Sequence, residues 1–249
     1  MTPDDILDLF EATARAVSET VERIRGPDRR AKTGRPGQYA LDVLADAAAL
    51  KVLHSAPVKV MSEESGSSGD NGSDLTVVID PVDGSTNCSR GISYWATSLC
   101  AVDDDGPLAA FVVNQASRDY MTAVRGGGAY RNGQRVEPSD RTRVEDAVVA
   151  LAGLPARILP WQQFRALGSA ALALCDVASG GLDGYVDGGS WHAPWDYLGG
   201  YLMCLEAGAR VVDVGGQPLS TTAQSARRQL LAAGTTELLD ALKPAAGRR

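Results

Sequence analysis

The chain has 249 residues, 44% of them hydrophobic and 22% charged, the make-up of an ordinary globular protein, and its formal net charge is −7. That acidic balance disfavours a nucleic-acid polymer or an anionic membrane as partner, and no apolar run reaches the length of a membrane span. Cys88, Cys100, Cys175 and Cys204 form no Cys-x-x-Cys, which excludes a zinc site on paired cysteines and suits a reduced, cytoplasmic protein without a signal peptide.

Thr2 and Pro3 open a helix whose apolar residues Ile6, Phe10, Val17 and Val21 recur at helical spacing until Gly26-Pro27 stops it. Residues 29–38 form a basic, Gly/Pro-bearing loop, either simply solvated or placed to close over an anionic substrate. A second helix spans 41–53, with Asp42 in its first turn, where an acid suits the helix dipole. A strand at 58–61 leads to Glu63-Glu64, then to a Ser/Gly-rich loop over 65–73. After a strand, those acids are candidate metal ligands.

The apolar run 75–79 reads as a buried strand that delivers Asp80-Pro81-Val82-Asp83-Gly84-Ser85-Thr86-Asn87. Asp80 is expected to close the strand, because Pro81 cannot continue a ladder, and a helical turn is expected from Asn87. Two carboxylates on one tight corner can share a cation. Gly84 and Ser85 place free N–H groups beside them for an anion. Cation ligands beside a phosphate cradle are the requirement of metal-assisted phosphate chemistry.

Strands follow at 94–102 and 108–114, with Asp103-Asp104-Asp105 read as a hairpin tip, and a hairpin at 129–136 turns on Asn132-Gly133. The polar stretch 138–143 marks a boundary between an N-terminal domain, 1–140, and a C-terminal domain, 141–249. The second half alternates: strand 147–151, a helix opening at Gly168-Ser169-Ala170-Ala171, strand 184–187, a helix over 197–207 with Asp196 as its expected cap, strands 211–214 and 230–233, and a last helix over 237–242. The expectation is an α+β or α/β protein, with an antiparallel first half and an α/β second half.

Asp42, Glu63-Glu64, the Asp80–Asn87 octet, Gly168-Ser169-Ala170-Ala171 and Trp195-Asp196, in this order, resemble the inositol monophosphatase family of lithium-sensitive, magnesium-dependent phosphatases. The resemblance implies a layered α-β-α-β-α sandwich, usually as a homodimer, acting on a small phosphorylated polyol or sugar. It implies two or three Mg²⁺ ions: Glu63, Asp80 and the Val82 carbonyl hold one, and Asp80, Asp83 and Asp196 a second. It implies in-line attack by a metal-bound water, with Ser85 and Asp42 taking its proton and Glu63 counted in the catalytic set. Gly84 and Ser85 hold the phosphate, while Ser169, Ala170 and Asp187 face the rest of the substrate.

The chain departs from the family pattern in several places: Ser62 replaces a Gly, Tyr39-Ala40-Leu41 replaces a Thr cluster, and Ser85 a Thr. Gly199-Gly200 follows Trp195-Asp196-Tyr197-Leu198, the 152–167 segment is short, and Asp187 stands for Glu. The connection Ser190-Trp191-His192-Ala193 is long, which makes Trp191 and His192 candidate leaving-group contacts. Within the superfamily, a nucleotide 3′-phosphatase, a histidinol-phosphate phosphatase and a sugar bisphosphatase are alternatives. Outside it, the alternative is a catalytically silent phosphate-ligand sensor or scaffold.

Overall fold

Strand alternation decides the layering. In this computed structural model, which describes residues 1–247, Val77 and Ile79 leave their strand on one face and Val78 on the other. The same two-residue period separates Leu99 and Ala101 from Cys100, and Phe111 and Val113 from Val112. Each face of that sheet therefore has its own core.

The first face is covered by two helices. Helix α1 (Pro3–Arg23) starts with a capping box, in which Thr2 accepts the Asp5 N–H and Asp5 accepts the Thr2 N–H. It packs with α2 (Ala40–Leu53) through Ile6, Phe10, Leu41 and Ala45.

The sheet itself contains β1 (Lys59–Ser62), β2 (Gly66–Gly69), β3 (Thr76–Asp83), β4 (Ala96–Asp103), β5 (Gly106–Asn114), β6 (Tyr120–Val124), β7 (Gly128–Arg131) and β8 (Gln134–Arg135). Its order is β2-β1-β3-β4-β5-β6-β7-β8, with only β1 and β3 parallel. The 103–105 tip and the Asn132-Gly133 turn fall where the sequence puts them, and both turn residues have positive φ, 50° and 77°. The 65–73 stretch is not wholly loop, because Gly66–Gly69 pairs with β1, and β6 is a strand the sequence pattern did not reveal.

The second face carries α4 (Ala170–Ala178) and α5 (Pro194–Ala207), and these helices also cover a second sheet. That sheet holds β9 (Val148–Ala152), β10 (Gln163–Arg165), β11 (Gly184–Asp187), β12 (Arg210–Asp213) and β13 (Leu230–Ala233), in the order β10-β9-β11-β13-β12. Its outer face, through Val149, Val186 and Leu231, meets α6 (Thr236–Ala246), which runs through Pro244 and so extends past the expected end. The result is an α-β-α-β-α sandwich. The two sheets lie on either side of residue 140, but one core of buried side chains joins both to the middle helices.

Gly199 and Gly200 show why the middle layer fits. A Cβ on Gly200 would stand 2.5 Å from the Leu174 Cβ, and one on Gly199 would stand 2.8 Å from Ser98 Oγ. The pair lets α5 approach α4 and β4 more closely than any larger residue allows. In a helix interior Gly→Ala ordinarily gains about 1 kcal/mol, whereas forcing an extra carbon into a packed core costs about 1–3 kcal/mol. The Leu174 contact lies at the root of a side chain and cannot swing away, so overpacking wins. We expect Gly200→Ala to lower unfolding stability by about 1–2 kcal/mol in urea titrations; a stabilised variant would show that the α4–α5 contact is looser than described.

Candidate active site

The octet is shaped by an irregularity in β3. The strand does not end at Asp80, as the proline suggested, but continues to Asp83 with a register shift. Asp80 pairs with Ser98 and Asp83 with Ala96, so one residue of β3 is extra. Residues three apart on a regular strand point to opposite faces. The bulge reverses that: Val82 joins the α1–α2 core, leaving Asp80 and Asp83 to face the middle helices. Pro81 sits in the bulge, where its missing N–H breaks no ladder bond, and its carbonyl accepts the Thr97 hydroxyl at 2.9 Å.

Gly84 then turns the chain at φ 91°, and a Cβ there would lie 2.9 Å from the Gly168 carbonyl oxygen. This turn starts α3 (Ser85–Arg90) at Ser85, two residues before the sequence expectation. The Asn87 side chain donates to the Tyr94 and Leu167 carbonyls, each at 2.7 Å, and so ties α3 to the turn that opens α4. Arg29 donates to the Cys88 carbonyl at the far end of α3.

Four carboxylates from three places in the fold meet here: Glu63 after β1, Asp80 and Asp83 on β3, and Asp196 in the first turn of α5. Asp196 is not the cap of α5. The helix starts at Pro194, and Asp196 Oδ2 accepts the Ala193 N–H at 2.7 Å. Asp83 Oδ2 accepts from Ser169 Oγ at 2.5 Å and from the Ala171 N–H at 2.8 Å, joining β3 to the start of α4.

Burial dominates the protonation of Glu63, Asp80 and Asp83. It lifts Glu63 to about 8, with Asp196 and Glu64 adding repulsion. It lifts Asp80 well above the carboxylate range, with Glu63, Asp83 and Asp196 adding to the effect. Asp83 rises to about 6, again by burial and then by Asp196, against the bonds from Ser169 and Ala171.

Asp42 lies at the start of α2, with Glu64 and Lys32 as its charged neighbours. Its Oδ2 accepts the Tyr39 N–H at 2.8 Å, while its Oδ1 is buried without a partner. Burial raises its carboxyl to about 7. The basic loop is folded against the same corner: Gln38 bonds Glu64, Arg35 donates to the Glu64 carbonyl at 3.1 Å, and Lys32 lies 3.2 Å above the Tyr39 ring. Ser62, in place of the family's glycine, donates to Asp46 on α2 at 2.5 Å and fixes the strand end that presents Glu63.

A cavity of about 350 Å³ opens from Asp83 and Asp196 and is lined by Ser169, Ala170, Tyr185 and His192 among others. Of the expected substrate contacts, Gly84, Ser85, Asp187 and Trp191 are not on its lining. Asp187 is fully buried, and its oxygens accept the N–H groups of Gly189, Ser190 and Trp191, so it braces the long connection from within. Trp191 takes φ 59° and leaves its ring 43% exposed. The extra length turns His192, not Trp191, toward the cavity. Tyr185 escaped the sequence reading because nothing in a four-residue strand marks which side chain reaches a pocket.

Among the described residues, no three His, Cys, Asp or Glu side chains are placed so that together they could hold a metal ion. The donor set nevertheless fits a hard divalent cation. Glu63, Asp80, Asp83 and Asp196 crowd one cleft and repel one another, and their oxygens are the hard donors such a cation takes.

The comparisons agree with this geometry. A model of the inositol monophosphatase family matches residues 4–245. A fructose-1,6-bisphosphatase/inositol-1-monophosphatase from Archaeoglobus fulgidus is 37% identical over 193 residues, 76% of this chain and 74% of that protein. Nus factor SuhB from Pasteurella multocida is 34% identical over 172 residues, 63% of each chain. Among solved structures, a hypothetical protein from Pyrococcus horikoshii with similarities for inositol-1 monophosphatase has a TM-score of 0.89 at 26% identity, over 99% of this chain and all of that one. Fold and relatives together define the class, a phosphatase. The chain belongs to the inositol monophosphatase family.

The raised carboxyls have a consequence for stability. A carboxyl whose pKa rises on folding binds more protons in the folded state. The stability this lends is fully present below the ordinary values of 3.8 and 4.5 and is lost as pH rises through about 6, 7 and 8 at Asp83, Asp42 and Glu63. Protein kept in EDTA should therefore melt at progressively lower temperature between pH 5 and pH 8.5. Mg²⁺ should restore more of the loss at the upper end than at the lower. A melting temperature that is flat or rising across this interval in EDTA would mean the carboxylates are not crowded as described.

Proposed function

We propose that the protein is a Mg²⁺-dependent phosphomonoesterase acting on a small phosphorylated polyol or sugar. One observation carries this reading: four carboxylates, Asp80 and Asp83 buried and Glu63 and Asp196 partly buried, meet beside the first turn of α3, and Asp83 and Asp196 line a small cavity. Glu63, Asp80 and the Val82 carbonyl would hold one Mg²⁺, and Asp80, Asp83 and Asp196 a second, with Asp80 common to both. When bound, the metal supplies Lewis acidity toward phosphoryl oxygens and acidifies water.

The remaining roles belong to the chain. The first N–H groups of a helix have no carbonyl partner within it, so Gly84 and Ser85 present donors to the phosphate oxygens. The half-buried Ser85 hydroxyl and the Asp42 carboxyl, poised near neutrality by burial, accept the proton of the attacking water. Ser169 aligns Asp83 and, with Ala170, borders the space for the leaving group. On the family resemblance alone, we read the protein as a cytoplasmic, lithium-sensitive homodimer.

The double names of the archaeal relatives favour a sugar bisphosphatase as second reading. The name Nus factor belongs to the SuhB relatives. Here the net charge of −7 weighs against a nucleic-acid polymer.

Phosphate release from a panel of sugar and polyol phosphates, with Mg²⁺ and with EDTA, tests the proposal. Activity should require Mg²⁺, and Ca²⁺ should substitute poorly. Asp83→Asn and Asp196→Asn should lose nearly all turnover, because an amide supplies no negative charge. Near-wild-type turnover of Asp83→Asn at limiting Mg²⁺ would remove that residue from the metal site.

Ser85→Ala should fold with little change in melting temperature and lose about 10²–10⁴-fold in kcat, the usual contribution of a positioned proton acceptor. Unchanged kcat would exclude Ser85 from the chemistry.

A further inference from the structure

The carboxylate cleft uses only part of the basic stretch near the N-terminus. Arg23, Arg25, Arg29, Arg30, Lys32 and Arg35 stand there with a single acid, Asp28, in a chain whose net charge is −7. The fold divides these cations. Lys32 and Arg35 turn to the corner of Tyr39 and Glu64. Arg23 lies on α1, 4.0 Å from Glu19. Arg29 and Arg30 go elsewhere: they end a short helical turn, Gly26–Arg30, that packs against α3.

Between that turn and α3, Arg29, Arg30 and Arg90 line an open hollow of about 570 Å³, together with Ser89, Gly26 and Gly91. Among the described residues, no Asp or Glu lines it. Arg30 and Arg90 are exposed, and neither side chain pairs with a protein group. Arg29 is half-buried and fixed. Its Nη2 donates to the Cys88 carbonyl at 3.0 Å, while its Nε is buried without a partner. The hollow faces the C-terminal end of α3, the end of a helix that repels anions. Here that end is capped, because the Cys88 carbonyl already accepts from Arg29 and from the Gly91 N–H. The Ser89 hydroxyl is spent on the Thr86 carbonyl at 2.9 Å. The side-chain groups left free in the hollow are therefore guanidinium donors.

A guanidinium stays charged at every pH a protein meets, and its planar fork of N–H groups matches phosphate oxygens two at a time. Three such forks without a counter-charge concentrate positive potential at one place on an acidic molecule. A single carboxylate satisfies one fork. A phosphate chain presents acceptor oxygens to all three, and the hollow is several times larger than one phosphate needs.

We propose that this hollow is a second anion site, separate from the carboxylate cleft. Its ligand is a chain of two or more phosphoryl groups, inorganic or borne by a nucleotide. The two sites sit at opposite ends of α3, which begins at Ser85 and ends at Arg90.

Calorimetric titration of the full chain in EDTA, at fixed ionic strength, tests this with tripolyphosphate, ATP and orthophosphate. Without Mg²⁺ the crowded carboxylates repel anions from the cleft, so the titration reads the hollow. Tripolyphosphate should bind saturably, one per chain, and orthophosphate about tenfold more weakly or worse. ATP no tighter than tripolyphosphate names the phosphate chain itself as the ligand, and tighter ATP names a nucleotide; either result upholds the site. Arg30→Gln/Arg90→Gln should weaken tripolyphosphate about tenfold or more, with melting temperature and Mg²⁺-dependent phosphate release unchanged. Arg23→Gln, which removes a charge outside the hollow, should change binding by less than about twofold. Should the double variant fail to fold, Arg90→Gln alone takes its place, with a loss of about threefold or more expected. The proposal is overturned by the absence of saturable binding, by orthophosphate binding as tightly, or by unchanged affinity in the hollow variant. An equal loss in Arg23→Gln overturns it too, since that is the general field of the basic stretch. Loss of turnover in the folded double variant would place these arginines in the catalytic site and end the claim of a separate one.

Discussion

Like charges do not gather in a buried cleft without a reason, and the crowding of Glu63, Asp80, Asp83 and Asp196 is the constraint around which this molecule is arranged. Each acid is brought in by a different device. Asp80 and Asp83 share a face because β3 carries an extra residue. Glu63 follows a strand end tethered to α2 by Ser62 and Asp46. Asp196 occupies the first turn of α5, where the helix terminus favours a negative charge. Helix termini and hydrogen bonds offset part of the cost, and what remains, burial first and mutual repulsion second, appears as the raised protonation of Glu63, Asp80 and Asp83. Such a cluster is held ready for cations.

The middle layer makes this gathering possible. Helices α4 and α5 touch both sheets, so the core that stabilises the fold is the same body that aligns the site. Asp83 bonds Ser169 and the Ala171 N–H across the two halves, and Asn87 does the same with the Leu167 carbonyl. Gly199 and Gly200 set the approach of α5 to its neighbours. Packing and chemistry are therefore coupled: a shift of α5 away from the sheet would move Asp196 and His192 together. The loop between β11 and α5 adds a second anchor, since Asp187 gathers three N–H groups and His192 is paired with Arg228. The cavity wall on that side is thus as firmly placed as the carboxylate side.

Much of this was legible in the residues themselves. Local chemistry announced the helix start at Thr2, the Asn132-Gly133 turn, the alternating strands and the acids of the octet, because each depends on neighbours within a few positions. The order of those motifs also carried the family and the layered architecture. Tertiary structure decided the rest. The bulge at Pro81 is a property of the pairing with β4, and a proline by itself reads as a stop. β6 and β10 gain their strand character from neighbours that a local pattern cannot see. Asp187 is an acid in sequence, but three backbone N–H groups donated from the next turn claim it. Which of Tyr185, Trp191 and His192 would line the cavity depended on a left-handed residue at 191 and a bridge to Arg228, contacts that exist only once distant segments have met.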